Sequence, residues 1–436
     1  MSRLFTWRSL FITLPRALLP VLLLALLLVP VWQWAHDPGS ELKSATITDP
    51  AAQLKRGEYL ARAGNCAACH TVRGGRPYAG GRAIATPFGD IYASNLTPDM
   101  KTGLGNWSAD DFWRALHNGK SKDGRFLYPA FPYPNFTKVT RDDADALYAY
   151  LRSIPAVEQT NREHALRFPF NQRILLAYWR TLYFTPGQFA PDPAQSAQWN
   201  RGAYLVQGLG HCAACHTSRN ALGGSVTGSD LAGGMIPMQN WQASSLTSAA
   251  ESGLGAWHLT EIEDLLKTGV SARAAVYGPM AEVVGASLQH LSGPDIHAIA
   301  TYLKALPKTD DAVKRRAATD DPETAAILKA GAKLYDKHCA ECHQSDGKGQ
   351  PTAYPPLAGN ASLSVVSPTN AIRIVLNGGY PPSTAGNPRP HGMPPYAMTL
   401  NDEELAAVVS YIRNSWGNKG AMVAPNEVNR LRGAPL

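Results

Sequence analysis

The chain has 436 residues, 44% hydrophobic and 17% charged, with 38 glycines, 33 prolines and a formal net charge of +7. The apolar share excludes an intrinsically disordered polymer, and the length suits roughly three domains of about 100–150 residues rather than one core. The positive charge is spread without a Lys/Arg block or basic runs interleaved with aromatics, which argues against a nucleic-acid partner.

Residues 1–40 read as a membrane segment. Arg3, Arg8 and Arg16 precede an apolar run from Ala17 to Trp32. Counted to Trp34, it is about 18 residues or roughly 27 Å of helix, close to the apolar thickness of a bilayer. Trp32 and Trp34 stand where interfacial aromatics stand. No clean small-x-small cleavage site follows, since Gln33 precedes Trp34 and Ala35. An uncleaved anchor is therefore favoured over its rival, a cleaved signal peptide. Arginines on the short side put that end in the cytoplasm and the chain after His36 outside it.

The rest of the chain repeats, in units spanning 50–156, 197–308 and 326–418. Each opens on a short helical stretch with a glycine: Arg56-Gly57-Glu58-Tyr59-Leu60, Arg201-Gly202-Ala203-Tyr204-Leu205 and Gly331-Ala332-Lys333-Leu334-Tyr335. In the first two units, Thr102-Gly103-Leu104-Gly105-Asn106-Trp107 echoes Ser252-Gly253-Leu254-Gly255-Ala256-Trp257. Each unit closes on a helix punctuated by Asp, Asn or Ser at its start and Pro or Gly at its end. These helices begin near Asp142, Gly293 and Asn401, and their apolar residues recur at i, i+3 and i+4. The linker 157–196 holds Phe168, Phe170, Leu175, Leu176, Tyr178 and Trp179. It is too apolar for a free tether and is expected to pack between domains or against a partner. The stretch 308–322 is charged and expected to be solvated, and 419–436 reads as a polar tail.

All six cysteines lie in Cys-x-x-Cys-His: Cys66-Ala67-Ala68-Cys69-His70, Cys212-Ala213-Ala214-Cys215-His216 and Cys339-Ala340-Glu341-Cys342-His343. None is left for a structural disulfide. In such a motif both thiols form thioethers with the haem vinyl groups, and the histidine becomes the proximal iron ligand. Two cysteines and a histidine also suit zinc, but three copies in three similar units favour three covalently bound haem c groups. Thioether attachment takes place outside the cytoplasm, in keeping with the anchor. Each proximal histidine needs its other nitrogen bonded, and a carbonyl within Tyr354-Pro355-Pro356-Leu357 is a candidate for His343.

A methionine opposite the histidine raises the haem potential. Met393, in His391-Gly392-Met393-Pro394-Pro395, is the candidate of the third unit, with Met398 in reserve. Met280, after Gly278-Pro279, is that of the second. In the first unit the equivalent stretch is Tyr128-Pro129-Ala130-Phe131-Pro132-Tyr133, and Phe131 cannot ligate iron. Three alternatives stand: His117, near the end of a helix expected over Asp110–Asn118; Met100, in the loop Asn95–Thr102; or an iron without a side-chain ligand. A bis-histidine haem would have a lower potential than a His/Met one. No Rossmann glycine fingerprint, nucleophile triad or second metal cluster supports an independent catalytic domain.

These residues resemble the three-haem cytochrome c subunits of membrane-bound periplasmic alcohol, aldehyde and sugar dehydrogenases. The resemblance rests on Arg56-Gly57-x-Tyr59-Leu60, Gly89-Asp90-Ile91-Tyr92-x-Ser94-Asn95, Leu127-Tyr128-Pro129-Ala130, Gly278-x-Met280-Ala281-Glu282-Val283, Pro355-Pro356-Leu357-Ala358-Gly359-Asn360 and Ser415-Trp416-Gly417-Asn418. It implies an all-α fold, three tandem class I cytochrome c-like domains after an N-terminal transmembrane helix. It implies an inner-membrane location with the haem domains facing the periplasm. It also implies electron transfer from a catalytic subunit (quinoprotein, flavoprotein or molybdenum hydroxylase) to ubiquinone or a terminal oxidase, without substrate turnover by the chain alone. Phe131 with His117 upstream is similar to the branch that accompanies molybdenum hydroxylases. A free-standing anchored carrier is the alternative, and a haem enzyme acting at an open first iron is a further one.

Overall fold

The computed structural model describes residues 18–38, 42, 49–247, 253–307, 321–350 and 352–434. Most of the charged stretch 308–322 lies outside them.

Three helix pairs build the framework. Helix Pro50–Ala63 crosses Arg141–Ser153, Ala197–Gln207 crosses Gly293–Lys304, and Pro322–His338 crosses Asp402–Asn414. The repeated glycine sits at each crossing. A Cβ on Gly57 would lie 2.0 Å from the Ala146 carbonyl oxygen, on Gly202 2.0 Å from that of Ala298, and on Gly331 2.2 Å from that of Ala407. The backbones approach so closely that only hydrogen fits.

The closing helices start where side-chain oxygens accept the orphan N–H groups of the first turn. Thr140 accepts from Asp143, Ser292 from Asp295, and Asn401 from Glu404. Their apolar faces bury Leu147 and Leu151, then Ile296, Ile299 and Leu303, then Leu405, Val408, Val409 and Ile412. At about 1.5–3 kcal/mol for each fully buried large aliphatic side chain, these faces dominate three separate hydrophobic clusters. Leu104 and Leu254, from the echoed Gly-Leu-Gly stretches, enter the first and second clusters.

The fold is helix-rich but not all-α. Ala83–Thr86, Gly89–Tyr92 and Ala165–Leu166 form an antiparallel sheet, with Ala83 opposite Tyr92 and Gly89 opposite Leu166. Gly234–Ile236 pairs with Trp241–Ala243. The all-α expectation misses these strands because they are two to four residues long, too short for a two-residue alternation to register.

The linker packs on the outside of the first unit. Its strand Ala165–Leu166 closes the first sheet, and Leu176 and Ala177 meet Phe126 and Tyr128 in a fourth cluster that includes Val29. Helix Leu18–Ala35 ends there. Gln33 donates to Thr181 and accepts from Arg180, while the Lys120 ammonium bonds the Trp34 carbonyl and pairs with Asp37 at 2.6 Å. The side chains before Leu27 in that helix lie outside the described residues, and among the described residues no helix is long and apolar enough to cross a membrane.

The segment after 418 departs from the polar-tail expectation. It forms helix Pro425–Arg432, and Val423, Val428 and Leu431 bury against the third cluster. Arg432 pairs with Asp402 at 2.8 Å and closes the fold-back.

Candidate haem sites

Each Cys-x-x-Cys-His motif forms about one helical turn: Cys66–His70, Ala213–His216 and Ala340–His343. In the first two, the chain after the histidine doubles back, with the Gly80 and Gly233 amides donating to the His70 and His216 carbonyls at 2.8 Å. This return positions the short hairpins. Beyond them, the Ser94 carbonyl lies 2.7 Å from His70 Nδ1 and the Ser244 carbonyl 2.8 Å from His216 Nδ1. In the third, His343 Nδ1 meets the Pro355 carbonyl at 3.1 Å, within the tetrapeptide singled out above.

A carbonyl oxygen accepts only, so each Nδ1 carries the proton and each Nε2 keeps a lone pair. Burial pushes all three imidazoles below the usual histidine range, which holds them neutral and fit to bind iron. Burial also pushes the first thiol of each motif up, to about 12 for Cys66 and Cys212 and about 11 for Cys339. Zinc takes cysteine as thiolate and needs further ligands. Among the described residues no group of three or more His, Cys, Asp or Glu could hold a metal ion.

An apolar cavity of about 400 Å³ holds the second and third motifs together. Cys212, Cys215, His216 and Met280 line it, and so do Cys339, His343 and Met393. Trp257, Ile262, Leu266 and Ile299 close the second part, and Ile374, Val375 and Val408 the third. This lining suits porphyrins: apolar walls with two thiols, a neutral imidazole and a thioether sulfur in the second part, and one thiol, a neutral imidazole and a thioether sulfur in the third. Where the two halves meet, the Gln242 amide donates to Asn370 Oδ1 at 2.9 Å and Asn370 Nδ2 returns to the Gln242 carbonyl at 2.8 Å.

The methionines sort by position. Met280 packs on the second cluster, which Cys212 also borders, and Met393 on the third, which Cys339 also borders. The Met393 backbone is pinned by paired bonds to Gly379 at 2.8 and 3.0 Å. Met398, the reserve, is 99% exposed. On the first cluster, which Cys66 borders, it is Phe131 that packs, against Phe136. Equivalent amide bonds, Leu127 to Gly119 and Val276 to Gly269, fix the register in which Phe131 replaces Met280.

In that same register His117 corresponds to Lys267. The His117 Nδ1 bonds the Thr137 carbonyl at 3.0 Å, and the Lys267 ammonium bonds the Gln289 carbonyl at 2.7 Å, the equivalent atom. The His117 ring stacks on Trp113 with centroids 4.4 Å apart. The counterpart of cavity-lining Leu266 is Leu116, one residue earlier. Met100 is 57% exposed.

Sequence reasoning did not reach Ser94 and Ser244, because their contribution is a backbone carbonyl that any residue supplies. The signal that finds them is positional: both follow a hairpin, 24 and 28 residues after their histidines.

Covalent attachment motifs, oriented neutral histidines and apolar enclosure define a c-type cytochrome, and the chain binds haem c covalently. It matches the cytochrome c family over residues 54–155 and 328–416. It is 41% identical over 411 residues to the gluconate 2-dehydrogenase cytochrome c subunit of Pantoea cypripedii, covering 90% of this chain and 92% of that one. To the cytochrome c subunit of the quinone alcohol dehydrogenase of Gluconobacter oxydans it is 40% identical over 406 residues, covering 88% and 84%. It is also 44% identical over 382 residues to a nicotinate dehydrogenase subunit of Pseudomonas putida, covering 85% of this chain and 31% of that longer protein. The chain belongs to the family of dehydrogenase cytochrome c subunits.

Proposed function

We propose that the chain is the three-haem electron-transfer subunit of a dehydrogenase complex of the alcohol or aldehyde type, anchored in the inner membrane with its haem units in the periplasm. It would receive electrons from a catalytic subunit and deliver them to ubiquinone or another respiratory acceptor. One observation carries the electron-transfer reading: a single apolar cavity lined by two attachment motifs and two methionines. The relatives' names support a dehydrogenase as donor. The apolar run 17–34 with its flanking arginines supports the anchor.

Haem iron supplies reversible one-electron chemistry when bound. The chain's own part is to hold and tune. Cys66 and Cys69, Cys212 and Cys215, and Cys339 and Cys342 fix three macrocycles. His70, His216 and His343, each held through Nδ1, would offer Nε2 to the irons. Met280 and Met393 would offer thioether sulfurs to the second and third groups, a ligand type that raises the haem potential. The apolar walls exclude water, which keeps reorganisation small. In the first unit Phe131 offers no ligand atom where the second unit has Met280, His117 would serve as the structural tether that Lys267 provides in the second unit, and the first haem would be the odd one of the three.

Two measurements test this. Affinity purification in mild detergent should return a stoichiometric large dehydrogenase subunit, whereas a chain recovered alone and anchored would favour a free-standing carrier. His117→Ala should leave the electron paramagnetic resonance signals of all three haems unchanged, and a lost or shifted low-spin signal would make His117 an iron ligand.

A further inference from the structure

The motif Arg-Gly-x-Tyr-Leu occurs in the first two units and not in the third. In register with Arg56, Tyr59 and with Arg201, Tyr204, the third unit has Ala330 and Lys333. Helix crossing accounts for the glycine. The arginine and tyrosine have a separate use.

Each arginine stays in its own unit. Arg56 Nε donates to Asp143 Oδ1 at 2.6 Å, and Arg201 donates through Nε and Nη2 to the two oxygens of Asp295 at 2.8 Å. Each tyrosine crosses over. The Tyr59 hydroxyl donates to Asp295 Oδ2 at 2.6 Å, and the Tyr204 hydroxyl to Asp143 Oδ2 at 2.5 Å. Each hydroxyl also accepts the amide of the other unit's capping residue, Ser292 at 3.1 Å and Thr140 at 3.2 Å. The two tyrosine crossings repeat each other bond for bond, so the contact has a local two-fold character, although Arg56 meets one oxygen of its aspartate and Arg201 spans both.

The carboxylates are fit for this. Asp143 is 1% exposed and Asp295 is buried. Burial works against ionisation of Asp295, but the bonds from Arg201 and Tyr59 outweigh it and hold the carboxyl below the usual aspartate range. Burial, with the neighbouring carboxylate, pushes both tyrosines up, so they remain donors at neutral pH. In the third unit the equivalent carboxylate, Glu404, turns back to the Asn401 amide instead.

The seam that these bonds close is the one that the first two haem motifs share. Leu209 enters the first cluster, and Ala63 and Tyr59 enter the second. Ser287 Oγ donates to the Ala63 carbonyl at 3.2 Å, and Arg82 pairs with Glu282 at 2.7 Å.

We propose that Tyr59 and Tyr204 are positioning residues. Their reciprocal bonds to Asp295 and Asp143 lock the first two units into one module and set the placement of the first haem against the second, while the third unit docks by other contacts. This rests on the reading that both motifs carry haem.

The test uses the purified full-length holoprotein with Tyr59→Phe, Tyr204→Phe and both, and Tyr380→Phe as an exposed control. Haem content is measured first; a parent protein lacking haem at either motif overturns the underlying reading. With haem content intact, native-state amide exchange at Gly64 and His211 should accelerate by about tenfold per hydroxyl removed, the equilibrium weight of one charge-assisted hydrogen bond. The Soret circular dichroism couplet of the neighbouring haems should weaken, while the Met-ligand absorption and the potential of the third haem stay as in the parent. Should the double variant fail to fold, each single variant carries the same test. Exchange at both amides and a couplet indistinguishable from the parent would overturn the positioning role while leaving the haem assignment standing.

Discussion

Gly202→Ala should destabilise the second unit by about 2–4 kcal/mol and lower its melting temperature by roughly 10 °C or more. The sign is informative, because two effects oppose each other. Alanine is favoured over glycine inside a helix by about 0.8–1.0 kcal/mol, and Gly202 lies inside Ala197–Gln207. The added Cβ, however, would lie 2.0 Å from the Ala298 oxygen and 2.6 Å from its carbonyl carbon. Both are backbone atoms of a helix, so neither can swing aside. The helices must separate, which opens the cluster holding Leu205, Ile299 and Leu303. The steric term exceeds the propensity term. Gly433→Ala is the matched control, since nothing lies within 4 Å of its Cβ position. Thermal melting by circular dichroism, with haem absorbance recorded in parallel, decides it. A Gly202→Ala protein as stable as its parent would mean that the crossing is looser than described.

Phe131→Met should give the first haem a methionine ligand and raise its potential. Phe131 packs on the cluster that Cys66 borders as Met280 packs on the one that Cys212 borders, and the flanking amide bonds keep the same register. Methionine is a flexible side chain of similar reach, so the packing cost is modest, about 1 kcal/mol. Axial ligands tune haem potentials over about 0.8 V in all, and one ligand gained should move the first haem upward by on the order of 0.1 V. Potentiometric titration should show one wave shifted and two unmoved. Carbon monoxide binding by the reduced protein should fall together with that shift. Three unmoved waves would mean that Phe131 does not face the first iron.

What the sequence disclosed follows from how local each kind of chemistry is. The attachment motifs are legible because two thiols and an imidazole must lie within one helical turn. Met280 and Met393 are legible as candidates because glycine and proline surround each, and both line the cavity that the second and third motifs share. The loss of methionine at Phe131 is legible by alignment of the repeats. Three features are hidden for physical reasons. The partners of His70 and His216 are backbone carbonyls, which carry no residue signature. The bond from His117 to Thr137 is hidden likewise, and its likeness to the bond from Lys267 to Gln289 emerges only when the two units are set in register. The crossing of Tyr59 to Asp295 joins residues 236 positions apart, and nothing near Tyr59 announces it. The polar tail misleads for another reason: two apolar residues, Val428 and Leu431, suffice to bury one face of a short helix rich in polar residues, with Val423 buried just before it.

The account requires the chain to hold three haem groups through its own six cysteines. Intact-mass spectrometry of the purified chain under denaturing conditions measures that directly, since only thioether-bound haem survives. The predicted spectrum is a single species carrying three haem increments, reduced to two by Cys66→Ser/Cys69→Ser, by Cys212→Ser/Cys215→Ser or by Cys339→Ser/Cys342→Ser. A parent chain carrying two haems or fewer, or one motif whose loss leaves the mass increment unchanged, would contradict it.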